Sequence, residues 1–176
     1  MPESPYITGL FKDREAAERA YQSATERGYS RDDVNLVMSD ETRQRHFGPG
    51  AHPGVQTELG NKAAEGAGIG GAIGGTVGAI AAAVATVGTS IAIPGLGLVI
   101  AGPVAAALAG AGAGAATGGL VGALVGLGIP EERVKRYETG VREGGILMGV
   151  KPRSDEDAAH LERRWREHDG QDVHYR

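Results

Sequence analysis

The stretch GAGIGGAIGGTVGAIAAAVA (66–85), followed by IAIPGLGLVIAGP (91–103) and GAGAGAATGGLVGALVG (110–126), decides how the rest of the chain has to be arranged. No Asp, Glu, Lys or Arg occurs from Gly66 to Pro130. Glycines fall at Gly66, Gly70, Gly74 and Gly78 in the first arm, and at Gly110, Gly114, Gly118, Gly122 and Gly126 in the second. A spacing of four stacks each glycine nearly above the last on a helix, so each arm carries one face of bare backbone. An interior helical glycine costs roughly 1 kcal/mol relative to alanine, and close approach of two helix axes is the natural compensation. Ile69, Ile73, Val77, Ile80, Val84, Leu120, Leu124 and Leu127 are expected on the opposite side, toward lipid or neighbouring subunits.

Between the arms, Pro94, Gly95, Gly102 and Pro103 interrupt the pattern, so the segment reads as two helices joined by a turn. Gly66 to Ala85 would rise about 30 Å as a helix, matching a bilayer's hydrocarbon thickness of about 30 Å. Alanine and glycine supply little transfer energy, however, and the turn is itself apolar where a loop delivered to water would be polar. An apolar surface of this kind is a strong site for self-association. Burial among copies of the chain is the first expectation, and contact with membrane lipid is the alternative.

On the N-terminal side, Tyr6, Ile7, Leu10 and Phe11 suggest a strand, and Asp13 is placed to cap a helix. Ala16, Ala17, Ala20, Tyr21 and Ala24 then recur at helical spacing, Gly28 closes that helix, and Val34, Leu36 and Met38 mark a second strand. Gly48, Pro49, Gly50, Pro53 and Gly54 punctuate residues 41–65, which read as a linker.

On the C-terminal side, Pro130 suits a first helical turn, and Glu131 and Glu132 suit the positive end of the helix dipole. Val134, Tyr137 and Val141 line one face of this exit helix, and Gly144 and Gly145 end it. Ile146 to Val150 form a strand, Ser154 with Asp157 resembles a capping box before Ala158, Leu161 and Trp165, and Asp172 to Tyr175 offer a last strand.

The expected fold is therefore α+β. Residues 1–40 and 131–176 supply the two halves of a ferredoxin-like βαβ plus βαβ sandwich, with helices on one face of an antiparallel sheet. The 66–130 Gly/Ala-rich helical hairpin splits them. A hairpin returns the chain to where it left, so both halves should lie on the same side of whatever the hairpin enters.

Composition narrows the function classes. Thirty glycines against two phenylalanines and one tryptophan leave a core built largely from small side chains. A net charge of -4 gives no basic footprint for nucleic acid. The absence of cysteine excludes disulfides and thiolate metal sites, and the start MPESPYITGL does not read as a secretory signal, so the polar parts are expected in the cytoplasm. The alternative is association with the inner face of the cell membrane.

Chemical motifs are weak. Gly66, Gly68 and Gly71 satisfy G-x-G-x-x-G, but GNKAAE before them is no buried strand, and matches arise freely among so many glycines. His46, His52, His160, His168 and His174 show no i, i+4 pair of the kind a helical zinc site uses. Glu156, Asp157, Glu162 and Glu167 interleave with Arg163, Arg164 and Arg166 as an ion-paired surface does. Thr76, Thr86, Thr89, Ser90 and Thr117 all lie in the histidine-free segment. No catalytic residue, cofactor, metal or small-molecule substrate is expected.

Over nearly its full length the chain resembles the bacterial general stress protein (heat-induced, 17M-like) family. The resemblance is carried by the N-terminal strand and the helix opened at Lys12 to Glu15, the glycine series, Gly128-Ile129-Pro130-Glu131-Glu132, Arg136-Tyr137-Glu138, Gly140, and Gly144-Gly145 before the strand. It implies a stress-associated, noncatalytic bacterial protein and brings no catalytic residues with it. With the glycine register, it leads to an expected homo-oligomer packed through the glycine-rich hairpins.

Overall fold

A computed structural model describes residues 6–47, 90–93, 97–105, 121–122, 124–125 and 128–175. The elements are β1 (Ile7–Phe11), α1 (Arg14–Glu26), a short 3-10 turn (Arg31–Asp33), β2 (Val34–Ser39), α2 (Asp40–Phe47), β3 (Ser90–Ile93), β4 (Leu98–Ala101), α3 (Glu131–Arg142), β5 (Ile146–Val150), α4 (Asp155–Glu167) and β6 (Gln171–His174).

Local chemistry sets most of these boundaries. Asp13 accepts a bond from the Ala16 amide at 2.8 Å to start α1, and Ser154 accepts from the Asp157 amide at 3.1 Å to start α4. Gly28 and Gly144 take the left-handed conformation just past α1 and α3, at φ +86° and +99°.

The six strands form one sheet in the order β3-β4-β2-β5-β1-β6, and every neighbouring pair is antiparallel. β5 lies between β1 and β2, pairing Phe11 with Ile146 on one side and Met38 with Ile146 on the other. β1 and β2 are therefore parallel across β5, and β5 and β6 are parallel across β1. The two β-α-β units interleave, and the strands of neither unit pair with each other.

Strand alternation builds two cores. Ile7, Phe11, Leu36, Met38, Val99, Ile146, Met148 and Val150 point to the face covered by α1 and α4. Leu10, Val37, Leu98, Ile100 and Leu147 point the other way, against Val134, Tyr137 and Val141 of α3. The helices of the two β-α-β units, α1 and α4, thus share one face, and the exit helix α3, which stands outside those units, covers the other. β1, β4 and β5 are buried along their whole length because both faces are covered.

On the first face, Trp165 is fully buried. Its ring meets Phe11 edge-on with centroids 5.8 Å apart, and its indole N–H donates to the Ala20 carbonyl at 3.1 Å. The tryptophan thereby ties α4 to α1 and to β1 together.

Two expectations are overturned. The interruption at Pro94, Gly95, Gly102 and Pro103, expected as a simple turn, contains two strands, Ser90–Ile93 and Leu98–Ala101, while the arms at 66–85 and 110–120 lie outside the described residues. The two strands form a β-hairpin that extends the sheet from β2, pairing Leu36 with Ala101 and Ser39 with Leu98. The physical reason is that IAI and LVIA are rich in β-branched residues, and they lie beside a β2 edge whose backbone groups need partners. Residues 66–130 are therefore not helical throughout.

The linker expected from residue 41 begins instead with helix α2. Ser39 accepts from the Thr42 amide at 3.0 Å, and Asp40 accepts from Arg43 and Gln44. The last strand runs from Gln171 to His174, one residue earlier than expected.

Candidate functional site

The second face of the sheet is where the glycine-rich segment meets the folded head. Residues 103–105 are helical and follow directly on β4, and residues 121–122 and 124–125 are helical before α3. Val104, Ala105 and Leu124 are buried in the same cluster as α3, with Val121 packed against it. Both described ends of the stretch containing 106–120 thus rest on one apolar surface.

Gly102 makes the first of these junctions. It has φ +101°, and a Cβ there would come within 2.3 Å of the Val34 carbonyl oxygen, so only glycine lets the chain turn off β4 against β2. Asn35 then fixes the direction. Its side-chain oxygen accepts from the Val104 amide at 2.8 Å, while its side-chain nitrogen donates to the Gly149 carbonyl at 3.3 Å. The amide is buried between β2, β5 and the 103–105 turn, with donor and acceptor both paired.

The second junction ends at Gly128, at φ +82°. Its amide donates to the Val125 carbonyl at 2.9 Å, and the Ile129 amide donates to the Leu124 carbonyl at 3.1 Å. This paired pattern closes a helix before Pro130 opens the next. A small apolar void of about 20 Å³, lined by Asn35, Val37, Val104, Leu124, Ile129 and Leu147 among others, remains between the two junctions and the sheet.

Beside it, the buried hydroxyls of Thr8 and Tyr137 are 2.8 Å apart, and Tyr137 donates to the Asp172 carbonyl at 2.8 Å. Burial pushes the Tyr137 phenol up from its ordinary value. That bond chain holds α3 against β1 and β6.

The described turn 121–125 has two distinct sides. Leu124 is buried against the sheet, whereas Gly122 is exposed and Val125 is 43% exposed, the one large apolar side chain so exposed among the described residues. Among the described residues, a Cβ at Gly122 would meet nothing within 4 Å. Leu124, expected to face lipid or other subunits, packs instead on the chain's own sheet.

Of the glycine register, Gly122 alone is described. Gly66, Gly70, Gly74, Gly78, Gly110, Gly114, Gly118 and Gly126 lie outside the described residues, as do Pro94 and Gly95. Pro103 is exposed at the start of the 103–105 turn.

The acidic surface of α4 includes a tie between the two β-α-β units. Asp157 accepts from Arg27 at 2.6 Å and from the Tyr29 hydroxyl at 2.8 Å, and these bonds, Arg27 first, hold its carboxyl below the ordinary range. The Arg153 guanidinium stacks 4.3 Å from the Tyr29 ring centroid, and the Arg153 amide donates to the Tyr29 hydroxyl. Burial, aided by Arg45 and Arg14, pushes His46 down from its ordinary value, and burial does the same to His168.

Sequence reasoning passed over Asn35, although a lone amide inside VNLVM is a visible signal that one strand face meets a polar backbone. Among the described residues, no cluster of three or more His, Asp or Glu could hold a metal ion, and no helix is long and apolar enough to cross a membrane. In comparisons with protein-family models, curated proteins and solved structures, nothing matches this chain.

Proposed function

We propose that this chain is a noncatalytic assembly protein: a ferredoxin-like head, extended by a β-hairpin, that presents glycine-rich segments for packing against other copies of itself. The observation that carries this reading is the two-sided turn at 121–125. Leu124 is committed to the head, while Gly122 and Val125 of the same turn are exposed, with no described residue within 4 Å of a Cβ at the glycine. Gly122 belongs to the four-residue series Gly110, Gly114, Gly118, Gly122 and Gly126, so the outward line on this turn is the one the series defines. A surface of that kind gains contact only from a partner helix able to come close.

The likeness to general stress proteins supplies a setting in which such assembly would operate, a bacterial cytoplasm under stress. Contact with the inner face of the membrane is the second reading, favoured by the uncharged run from Gly66 to Ala85. Fractionation of the full chain separates the two. Recovery without detergent as a particle larger than one chain supports assembly. Recovery only with membranes supports lipid as the partner.

A further inference from the structure

The sheet ends in two edge strands, and they differ in kind. At one end β6 carries Asp172 and His174, pairs with β1 at Thr8–His174 and Leu10–Gln171, and breaks register between those pairs, where Asp172 takes φ +47°. Charge and a bulge at an edge keep another strand from adding to it. At the other end β3 has neither. Its ladder with β4 runs without a shift from Ser90–Ala101 to Ile93–Leu98, and among the described residues no strand lies on its outer side. Ser90–Ile93 contains no proline, and no Asp, Glu, Lys or Arg occurs anywhere between Gly66 and Pro130.

The hairpin that carries this edge is fixed at both ends of β4. The carbonyl of Gly97, just before β4, accepts the Asp40 amide at 2.6 Å, and Gly102, just after it, closes against the Val34 carbonyl with no room for a Cβ. β3 is thereby held extended through its ladder to β4, so adding a strand to its outer N–H and C=O groups costs little further ordering.

We propose that β3 pairs edge to edge with β3 of a second copy, antiparallel about a two-fold axis, joining the two sheets into one. The strand that fits this edge is extended and uncharged, and a second copy presents such a strand by construction. Two identical edges make an isologous contact that closes on itself, and no charge on either strand opposes their approach. This contact is separate from the glycine line of the 121–125 turn.

Backbone geometry dictates the form of such a pair. In an antiparallel ladder, directly opposed residues turn their backbone groups either both toward each other or both away. Opposed residues of two identical strands therefore lie an even number of positions apart, and one residue stands opposite its own copy. Ile91 or Ala92 in that place keeps most of β3 in the ladder. The Cα atom there is about 4.5–5.5 Å from its copy, within disulfide reach, whereas a residue one place along is offset from its own copy by about 7 Å along the strand and lies beyond it.

The chain has no cysteine, so single substitutions report the pairing directly. Ser90→Cys, Ile91→Cys, Ala92→Cys and Ile93→Cys are made in the full chain, each with and without Gly122→Leu, oxidised in detergent-free buffer and separated without reductant. Disulfide-linked dimer should peak at Ile91→Cys or at Ala92→Cys, several-fold above the positions on either side, and the peak should persist with Gly122→Leu. A flat yield across the four positions, a yield greatest at Ser90→Cys or Ile93→Cys, or no dimer at all would overturn the pairing. A peak abolished by Gly122→Leu would overturn the β3 edge as a contact of its own and assign the association to the glycine line.

Discussion

The side-chain oxygen of Asn35 on β2 accepts the backbone amide of Val104 at 2.8 Å, across a sequence separation of 69 residues. With the bond from the Asn35 side-chain nitrogen to the Gly149 carbonyl, this fixes where the chain leaves the sheet for its glycine-rich stretch. Replacing Asn35 with leucine strands the Val104 amide in an apolar layer. A buried unsatisfied group costs about 1–3 kcal/mol, so Asn35→Leu should lower the urea-unfolding free energy by that order despite its added apolar area. An unchanged midpoint would show that the clamp contributes nothing.

Helix α3 lies on β1 through Gly140, where a Cβ would fall 2.1 Å from Cδ2 of buried Leu10. Two effects compete at this site. Alanine gains roughly 1 kcal/mol of helix propensity, whereas forcing a methyl into a packed layer costs typically about 1–3 kcal/mol. Gly140→Ala should therefore be destabilising in the wild type and stabilising in a Leu10→Ala background. A double-mutant cycle by chemical denaturation checks the change of sign.

The Asp157 tie predicts acid sensitivity with a definite sign. Its folded pKa lies below the unfolded value because Arg27 and then Tyr29 donate to the carboxylate. The native state consequently holds fewer protons, and the stabilisation is present above the ordinary Asp value of about 3.9 and lost as pH falls through it toward the folded value. Asp157→Asn should be less stable than wild type at neutral pH, with the gap closing below about pH 4. Urea midpoints measured from neutral to acidic pH report it, and a gap independent of pH would remove the ion pair from the account.

The outward and inward sides of the 121–125 turn should separate by mutation. Leu124→Ala removes side-chain volume from the second core and should cost about 2–5 kcal/mol of stability. Gly122→Leu meets none of the described residues and should leave the dispersed chain as stable as wild type or more so, by up to about 1 kcal/mol of helix propensity. Unfolding at low protein concentration distinguishes the two, and a large loss at Gly122 would mean that this side is packed within the chain.

The head was largely legible from local signals. Asp13 and Ser154 are caps whose partners lie three residues away, Gly28 and Gly144 stop helices by their own conformation, and the apolar spacing of Ala16 to Ala24 names a helix face without knowledge of what it touches. The β3–β4 hairpin was hidden because IAI and LVIA sit in an uncharged run, where short apolar segments fit a strand or a buried helix equally well. What decides between them is the open edge of β2, a relationship set by pairing across some sixty residues. Helix α2 was missed because it is polar nearly all round, with Thr42 alone buried.

The covering of the second face was unreadable for a related reason. Val134, Tyr137 and Val141 announce an apolar stripe on α3, but which side of the sheet receives it depends on the path of the preceding segment.

Assembly through the outward glycine line of the 121–125 turn is open to a mass measurement. Light scattering on detergent-free wild-type protein and Gly122→Leu, over a range of concentrations, tests it most directly. The wild type should show a defined multiple of the single-chain mass, and Gly122→Leu a shift toward the single-chain mass at unchanged helix and sheet content. A wild-type protein that elutes at the single-chain mass at every concentration would contradict it.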